Sequence, residues 1–361
     1  MTTRMDLQDK PSLSPRVTIL MPAFNGANFI GAAIKSILCQ AYNNFELLII
    51  DDASTDATCD IIEKNSDPRI KLFKNEKNIG VAGSLNRGLN LARGDYIARM
   101  DADDISLPDR LLKQVTFMDQ NPEIGISGGF VQYFGSGISF VHKVPRKPEE
   151  IAAFIPFDTP LCHVTVIMRR SMIEEATLRY DTSFTQSEDY ELWSRAIECF
   201  PMANLPDVFV KVRLHSASVT KNNQEEMCRQ VTVIQQRLLK KLGVSAHSDD
   251  LKFHIRVGRG YRLHSLDEVR AAELWLNRLQ AANKSTNVYD ADAFACTIGR
   301  VWFICCANST PVGLTLMKLW RSSKISSKYR PTAKEFSIFI ASLLWHYLRI
   351  KFVSQVPNNQ K

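Results

Sequence analysis

From residue 16 onward, short unbroken apolar runs alternate with segments whose apolar residues recur every three or four positions. The runs "RVTILMPAFN" (16–25), "FELLIIDDAS" (45–54), "IKLFKN" (70–75) and "DYIARM" (95–100) predict strands. They are too continuous for one wetted face, so both faces are expected to be covered. Between them, "NFIGAAIKSIL" sets Ile30, Ala33, Ile34, Ile37 and Leu38 at helical spacing, with Asn28 as a plausible N-cap. "STDATCDIIEK" predicts a helix capped by Ser54 or Thr55. "GSLNRGLNLARG" (83–94) predicts another, closed by Gly94 as the residue after its C-terminus. Strands alternating with short helices predict an α/β fold: a doubly wound, mostly parallel sheet with flanking helices.

Further on, "SLPDRLLKQVTFMDQNP" predicts a helix beginning near Leu107, with Asp104 available as its cap. "EIGISGG", "FVQYFGSGISFVHKV", "CHVTVIMRR" (162–170) and "DVFVKVRLH" (207–215) predict strands, and "PEEIAAFIPF" and "SEDYELWSRAIECF" helices. In the last of these, Leu192, Trp193, Ala196 and Ile197 form the buried face. From about residue 222 the pattern is helical throughout and ends in an apolar run, 336–348. That run is shorter than the ~20 residues a spanning helix needs. The expected layout is a loose leader over 1–14, an α/β domain over 15–220 and a basic helical region over 221–361.

Charge sharpens that division. Residues 1–220 hold 23 Lys and Arg against 28 Asp and Glu, whereas 221–361 hold 22 against 10. The stretch "RSSKISSKYRPTAK" carries five basic residues and no acid, just before the apolar run. Basic flanks with Trp and Tyr suit a helix lying in an anionic membrane surface, although a solvated basic face or an ordinary core helix gives the same text. The polar leader has no export-signal pattern, and the eight cysteines show no C-x-x-C pair. Reduced thiols in a cytosol are therefore expected.

Candidate chemistry stands where the strands end. In an open parallel sheet, ligands bind at the carboxyl ends of the strands. "PAFN" follows the first, "DDAS" the second and "DADD" the fourth. No G-x-G-x-x-G follows the first strand and no G-x-x-x-x-G-K-[ST] occurs, which argues against a nicotinamide dinucleotide site and against a P-loop. Asp101, Asp103 and Asp104 fall within four residues and repel one another. Such a cluster suits Mg²⁺ or Mn²⁺, which in turn holds phosphates, while other carboxylates accept hydrogen bonds from ribose or base.

These motifs, together with "NIGVAGSLNRGLNLARGDYIARMDADD…PDR", resemble in order and content the nucleotide-sugar domain of the inverting family 2 glycosyltransferases, which have the GT-A fold. The resemblance covers roughly residues 15–220. It implies that Asp52 pairs with uracil in a pocket of Pro22, Ala23 and Phe24, with Asn78 beside the nucleotide. It implies that Asp101 reaches ribose or metal and that Asp103 ligates the metal, a role Asp104 can share. In "TQSEDYELWSR", Glu188-Asp189 resembles the family's E-D motif, whose Asp is the general base. His215 matches a contact to diphosphate or metal, and His163 a residue on the acceptor side. Each has a plainer alternative: Asp51, Asp52 and Asp104 as caps, Asn78 as a turn residue, Glu188 and Asp189 as acids favoured at a helix N-terminus, and the histidines as structural residues.

The expectation is therefore a Mn²⁺- or Mg²⁺-dependent enzyme. It moves a sugar from a nucleotide-diphosphate donor, a UDP-sugar, to a glycan or lipid-linked acceptor in surface-polysaccharide synthesis. Its expected location is the inner face of the cytoplasmic membrane, with no nucleic-acid partner. The rival is a membrane-associated assembly protein that keeps the fold without turnover. A nucleotidyltransferase would need a Gly-rich basic loop after the first strand, and "MPAFNGANF" has one Gly and no Lys or Arg.

Overall fold

The computed structural model describes residues 14–135, 137–215 and 224–353. The leader through residue 13 and positions 216–223 lie outside the described residues. The chain divides into two compact units, Met1–Arg146 with Leu161–Asn223, and Lys147–Pro160 with Gln224–Lys361.

In the first unit, β1 (Val17–Ala23), β2 (Phe45–Asp51), β3 (Ile70–Lys74) and β4 (Tyr96–Arg99) pair in parallel in the order β3-β2-β1-β4. Helices α1 (Ile30–Leu38), α2 (Thr58–Glu63) and α3 (Gly80–Leu91) make the crossovers. Every residue of β2 and β4 is buried, as continuous apolar runs require of strands covered on both faces. Beyond β4 the sheet becomes mixed. It continues through β8 (Ile167–Arg169), β6 (Ile126–Gly135), β9 (Met202–Arg213) and β5 (Ile105–Ser106), with β7 (Ile138–His142) paired to β6. β8 runs antiparallel to β4 and to β6, whereas β6 and β9 are parallel. Helices α4 (Arg110–Gln120), α5 (Pro148–Phe154), α6 (Arg170–Glu175) and α7 (Glu188–Ala196) complete the first half of the chain, α5 belonging to the second unit.

Several expected element ends move, each for a non-local reason. α3 begins at Gly80 because the Asp52 carboxylate accepts the Ile79 and Gly80 amides, both at 2.9 Å, as a cap from another strand's end. Gly94 lies two residues beyond that helix's C-cap, Ala92, and is small for another purpose: an added Cβ would stand 2.5 Å from the Thr18 amide nitrogen of β1. α4 begins at Arg110, since residues 105–106 are drawn into β5 against β9. Asp104 therefore does not cap it and accepts the Arg213 amide at 2.8 Å instead. Asn28 does not cap α1, whose N-cap position is Phe29. His163 opens a 3-10 turn, with the strand starting only at Ile167.

The second unit packs α5 with α8 (Gln224–Lys241), α9 (Ser248–Gly258), α10 (Leu266–Thr286), α11 (Ala291–Asn308), α12 (Thr315–Ser322) and α13 (Ala333–Val353). Its core holds Leu276, Phe294, Trp302, Cys305 and Phe339. Among the described residues, no helix is long and apolar enough to cross a membrane. α13 buries Phe339 and Leu343 but exposes Ile338, Leu344 and Trp345.

Candidate active site

The strand order reverses beside β1, between β2 on one side and β4 on the other. That is where a doubly wound sheet opens a crevice at its carboxyl edge. A cavity of about 520 Å³ opens there, lined by Pro22, Ala23, Phe24, Asp52, Asn78, Asp101, Asp103 and His215 among others. This volume lies within the usual ~300–1,000 Å³ of small-molecule sites.

The cavity has an apolar end and a carboxylate end. Phe24, Ile79 and Val81 line it and remain 51%, 41% and 40% exposed, so a planar apolar group entering the slot would cover side chains that folding leaves wet. The loops that form this end are pinned to each other. Asn25, in the left-handed region at φ 48°, donates its amide to Ser54 Oγ and accepts the Thr55 amide. Gly26 and Ala27 amides donate to Thr58 and Asp56. Ala53 also has positive φ, 62°, a conformation that costs a Cβ-bearing residue roughly 1–2 kcal/mol. Asp52 sits behind the slot, buried, and also accepts from Asn75 Nδ2 at 2.7 Å.

At the other end, Asp101, Asp103 and Asp104 each present a carboxylate oxygen within 4.8 Å of the others. Burial and the charge of Asp103 raise the Asp101 carboxyl, against the opposing pull of Arg99. Asp104 is pushed up to about 8 by burial and then by the charges of Asp101 and Asp103. His215 Nε2 lies 2.9 Å from Asp103 Oδ2, and its ring packs on Phe29 at 4.8 Å between centroids. The Arg213 guanidinium stacks over both Phe29 and Phe134, which ties the end of β9 to this cluster.

Two arginines lie beneath the carboxylates. Arg99 donates to Asp101; burial pulls its guanidinium down, and Asp101, Tyr180 and Glu188 together leave it above its ordinary value. Arg110 is fully buried and donates to the Arg99 carbonyl at 2.7 Å and to Gln114 at 3.0 Å. Burial and the Arg99 charge lower it to about 9, which leaves it cationic at neutral pH.

Glu188 and Asp189 open α7, as their spacing predicts. Burial and the neighbouring charge of Asp189 push Glu188 up to about 7, and the charges of Arg99 and Asp101 also reach it. The charge of Asp189 reaches Cys162, whose thiol burial and that charge raise to about 12. His163 Nε2 hydrogen-bonds Tyr180 Oη at 2.9 Å, its ring meets Trp193 edge-on, and its Nδ1 stands 3.9 Å from Glu188. Burial and then Arg99 hold His163 well below its ordinary pKa, so the imidazole is neutral. Trp193 is fully buried.

The structure thus brings Pro22, Ala23, Phe24, Asp52, Asn78, Asp101, Asp103 and His215 around one cavity. Glu188, Asp189 and His163 do not line it; they form a half-buried cluster, and the charge of Arg99 reaches both Glu188 and His163. Sequence reasoning missed Ile79, Val81, Arg99 and Arg110. The two arginines were visible as the ends of "RMDADDISLPDR", where cations flanking a carboxylate cluster are the available signal.

A sheet whose switch point carries three carboxylates beside an apolar slot, with an acid pair opening a nearby helix, has the layout of the GT-A glycosyltransferases. Solved structures agree on that fold. The chain aligns with S. aureus TarS 1-349, solved with UDP-GlcNAc, at a TM-score of 0.52 and 19% identity over 80% of this chain and 87% of that one. It aligns with the mannosyltransferase PcManGT from Pyrobaculum calidifontis, solved with GDP-Man and Mn²⁺, at 0.50 and 18% over 96% and 90%. Residues 18–177 match the model of glycosyl transferase family 2. A Haemophilus influenzae protein described as an uncharacterized glycosyltransferase is 34% identical over 232 residues, 60% of this chain and 72% of that protein. Escherichia coli WfaP, a UDP-Glc:alpha-D-GlcNAc-diphosphoundecaprenol beta-1,3-glucosyltransferase, is 34% identical over 237 residues, 64% of this chain and 88% of WfaP. The chain belongs to glycosyl transferase family 2 and is a glycosyltransferase.

Proposed function

We propose that this glycosyltransferase performs a metal-dependent, inverting transfer from a UDP-sugar to a hydroxyl of a lipid-linked glycan, in surface-polysaccharide assembly at the inner face of the cytoplasmic membrane. The observation that carries this reading is that Asp101 and Asp103, with Asp104 buried beside them, share one cavity with Asp52 and the apolar side chains of Phe24, Ile79 and Val81. The specific relative WfaP, by its name, uses UDP-Glc and a diphosphoundecaprenol acceptor, which supports the donor and acceptor classes.

The triad fits a hard divalent cation. Its donors are all carboxylate oxygens, the set that Mg²⁺ and Mn²⁺ prefer. Burial and then the charges of Asp101 and Asp103 push Asp104 up to about 8, and a cation relieves the repulsive part of that. Asp103 and Asp101 would hold it, with His215 steadying Asp103. When bound, it would supply charge neutralisation for the departing diphosphate.

In this reading Pro22, Ala23 and Phe24 flank the uracil, Asp52 orients it and Asn78 borders the nucleotide. Asp101 faces the ribose. The acceptor oxygen attacks the anomeric carbon from the side opposite the diphosphate. The bond from that carbon to the diphosphate oxygen breaks, and UDP leaves with the electron pair. Asp189 takes the acceptor proton, a contribution typically worth about 10²–10⁴-fold. Glu188, buried beside neutral His163, sets the field around Asp189 and faces the acceptor side with it.

Calorimetry of UDP with and without Mn²⁺ tests the reading. The wild type should bind UDP more tightly with metal, and Asp103→Ala should lose that increment. Asp189→Asn should bind UDP normally yet transfer roughly 10²–10⁴-fold more slowly. Absence of UDP binding in both conditions would sink the uracil assignment.

A further inference from the structure

β7 buries none of its residues, although it carries Ile138, Phe140 and Val141 at 51%, 50% and 44% exposure. Contiguous exposed apolar side chains mark an interaction surface. They lie on both faces of the strand, since Ile138 and Phe140 point one way and Val141 the other. A rigid partner covers one face; a fluid apolar medium covers both.

The charge around this hairpin is also unusual. Residues 124–148 contain no Asp or Glu, within a region, 1–220, where acids outnumber bases 28 to 23. At the base of β7 stand the exposed cations Lys143 and Arg146. Phe140 and Lys143 are three residues apart, about 10 Å along an extended strand. That matches the ~5–10 Å depth at which interfacial side chains enter the headgroup–acyl boundary while cations stay at the phosphates.

We propose that the β6–β7 hairpin docks the catalytic unit on an anionic lipid bilayer. Ile138, Phe140 and Val141 enter the boundary, and Lys143 and Arg146 meet the lipid phosphates. The position suits the reaction. Ser139 pairs with Phe134, and Phe134 pairs with Arg213, so the surface lies two strand spacings, about 10 Å, from the residue whose amide holds Asp104. A hydroxyl acceptor anchored in lipid would arrive on this side of the cleft. The inference deepens the membrane partner of the proposed function, and it rests on that reading only for its consequence, since vesicle binding is measured without sugar transfer.

The test is sedimentation of the full chain with vesicles of phosphatidylcholine alone and of phosphatidylcholine with phosphatidylglycerol. Wild type should bind the anionic vesicles selectively. The double variant Ile138→Asp/Phe140→Asp should bind them at least about tenfold more weakly. Lys143→Glu should weaken binding at least about fivefold. UDP affinity should stay unchanged in each, which shows that the unit is folded. The proposal is overturned if the wild type ignores anionic vesicles or if the hairpin variants sediment as the wild type does. It is equally overturned if only Ile338→Asp/Leu344→Asp on α13 releases the protein, or if the hairpin variants alter only self-association. Loss of binding in the hairpin variants of a wild type that fails to bind UDP would sustain the docking surface and sink the donor assignment.

Discussion

At the scale of single residues, the candidate site is a problem of buried charge. The charge of Arg99 reaches the carboxylates of Asp101, Asp104 and Glu188, and Asp103 and Asp189 stand beside these as further acids. Glu188 shows how the imbalance is met before any ligand binds. Its folded pKa of about 7 stands above its ordinary 4.5. The folded protein therefore keeps a proton that the unfolded chain has already released, and stability falls as pH rises from about 4.5 to about 7. Glu188→Gln has no such proton to lose. The melting temperature of this variant minus that of the wild type should be larger near pH 8 than near pH 5. Paired thermal melts at the two pH values check this, and an equal difference would show that Glu188 is not held protonated.

At the scale of elements, the carboxylates also do structural work. Asp52 closes the start of α3 from the end of β2 by accepting the Ile79 and Gly80 amides and Asn75 Nδ2. Asp52→Ala would take the acceptor from the Ile79 amide, at a cost of roughly 1–3 kcal/mol, and would leave the Gly80 amide to Asn78 Oδ1 and Asn75 Nδ2 to Ser84 Oγ. Urea denaturation should show that loss, and hydrogen exchange should quicken at Ile79 and Gly80 first. Unchanged exchange there would mean that α3 does not depend on this cap. The same element shows what the sequence reveals and what it hides. The strands β1, β2 and β4 were legible because both of their faces are apolar, a local property. The carboxylates at their ends were legible because a strand end in a parallel sheet has one meaning. The start of α3 was not, since its cap lies 27 residues upstream of Ile79. Nor was the destination of Asp104, whose partner Arg213 is 109 positions away. The strand directions in the second half of the sheet were not legible for a related reason. Alternating strands and helices announce parallel crossovers, but no local pattern tells that β8 enters beside β4 in the opposite direction.

At the scale of the whole molecule, the cleft belongs to one unit alone. Every residue lining the cavity falls within Met1–Arg146 or Leu161–Asn223. A ligand that binds only the folded form stabilises what it touches, by about 2.7 kcal/mol at a hundred times its dissociation constant. The second unit has a helical core of its own around Leu276, Phe294 and Trp302, and none of its described residues lines the cavity. Hydrogen exchange in the presence of UDP and Mn²⁺ should therefore slow at the loops that end β1, β2 and β4 and at the first turn of α3. The amides of α10 and α11 should exchange at the rate of the free protein. Slowing in α10 and α11 as well would mean that the nucleotide's stabilisation reaches the second unit. The boundary between a catalytic unit and a basic helical unit would then be a division of packing but not of energetics.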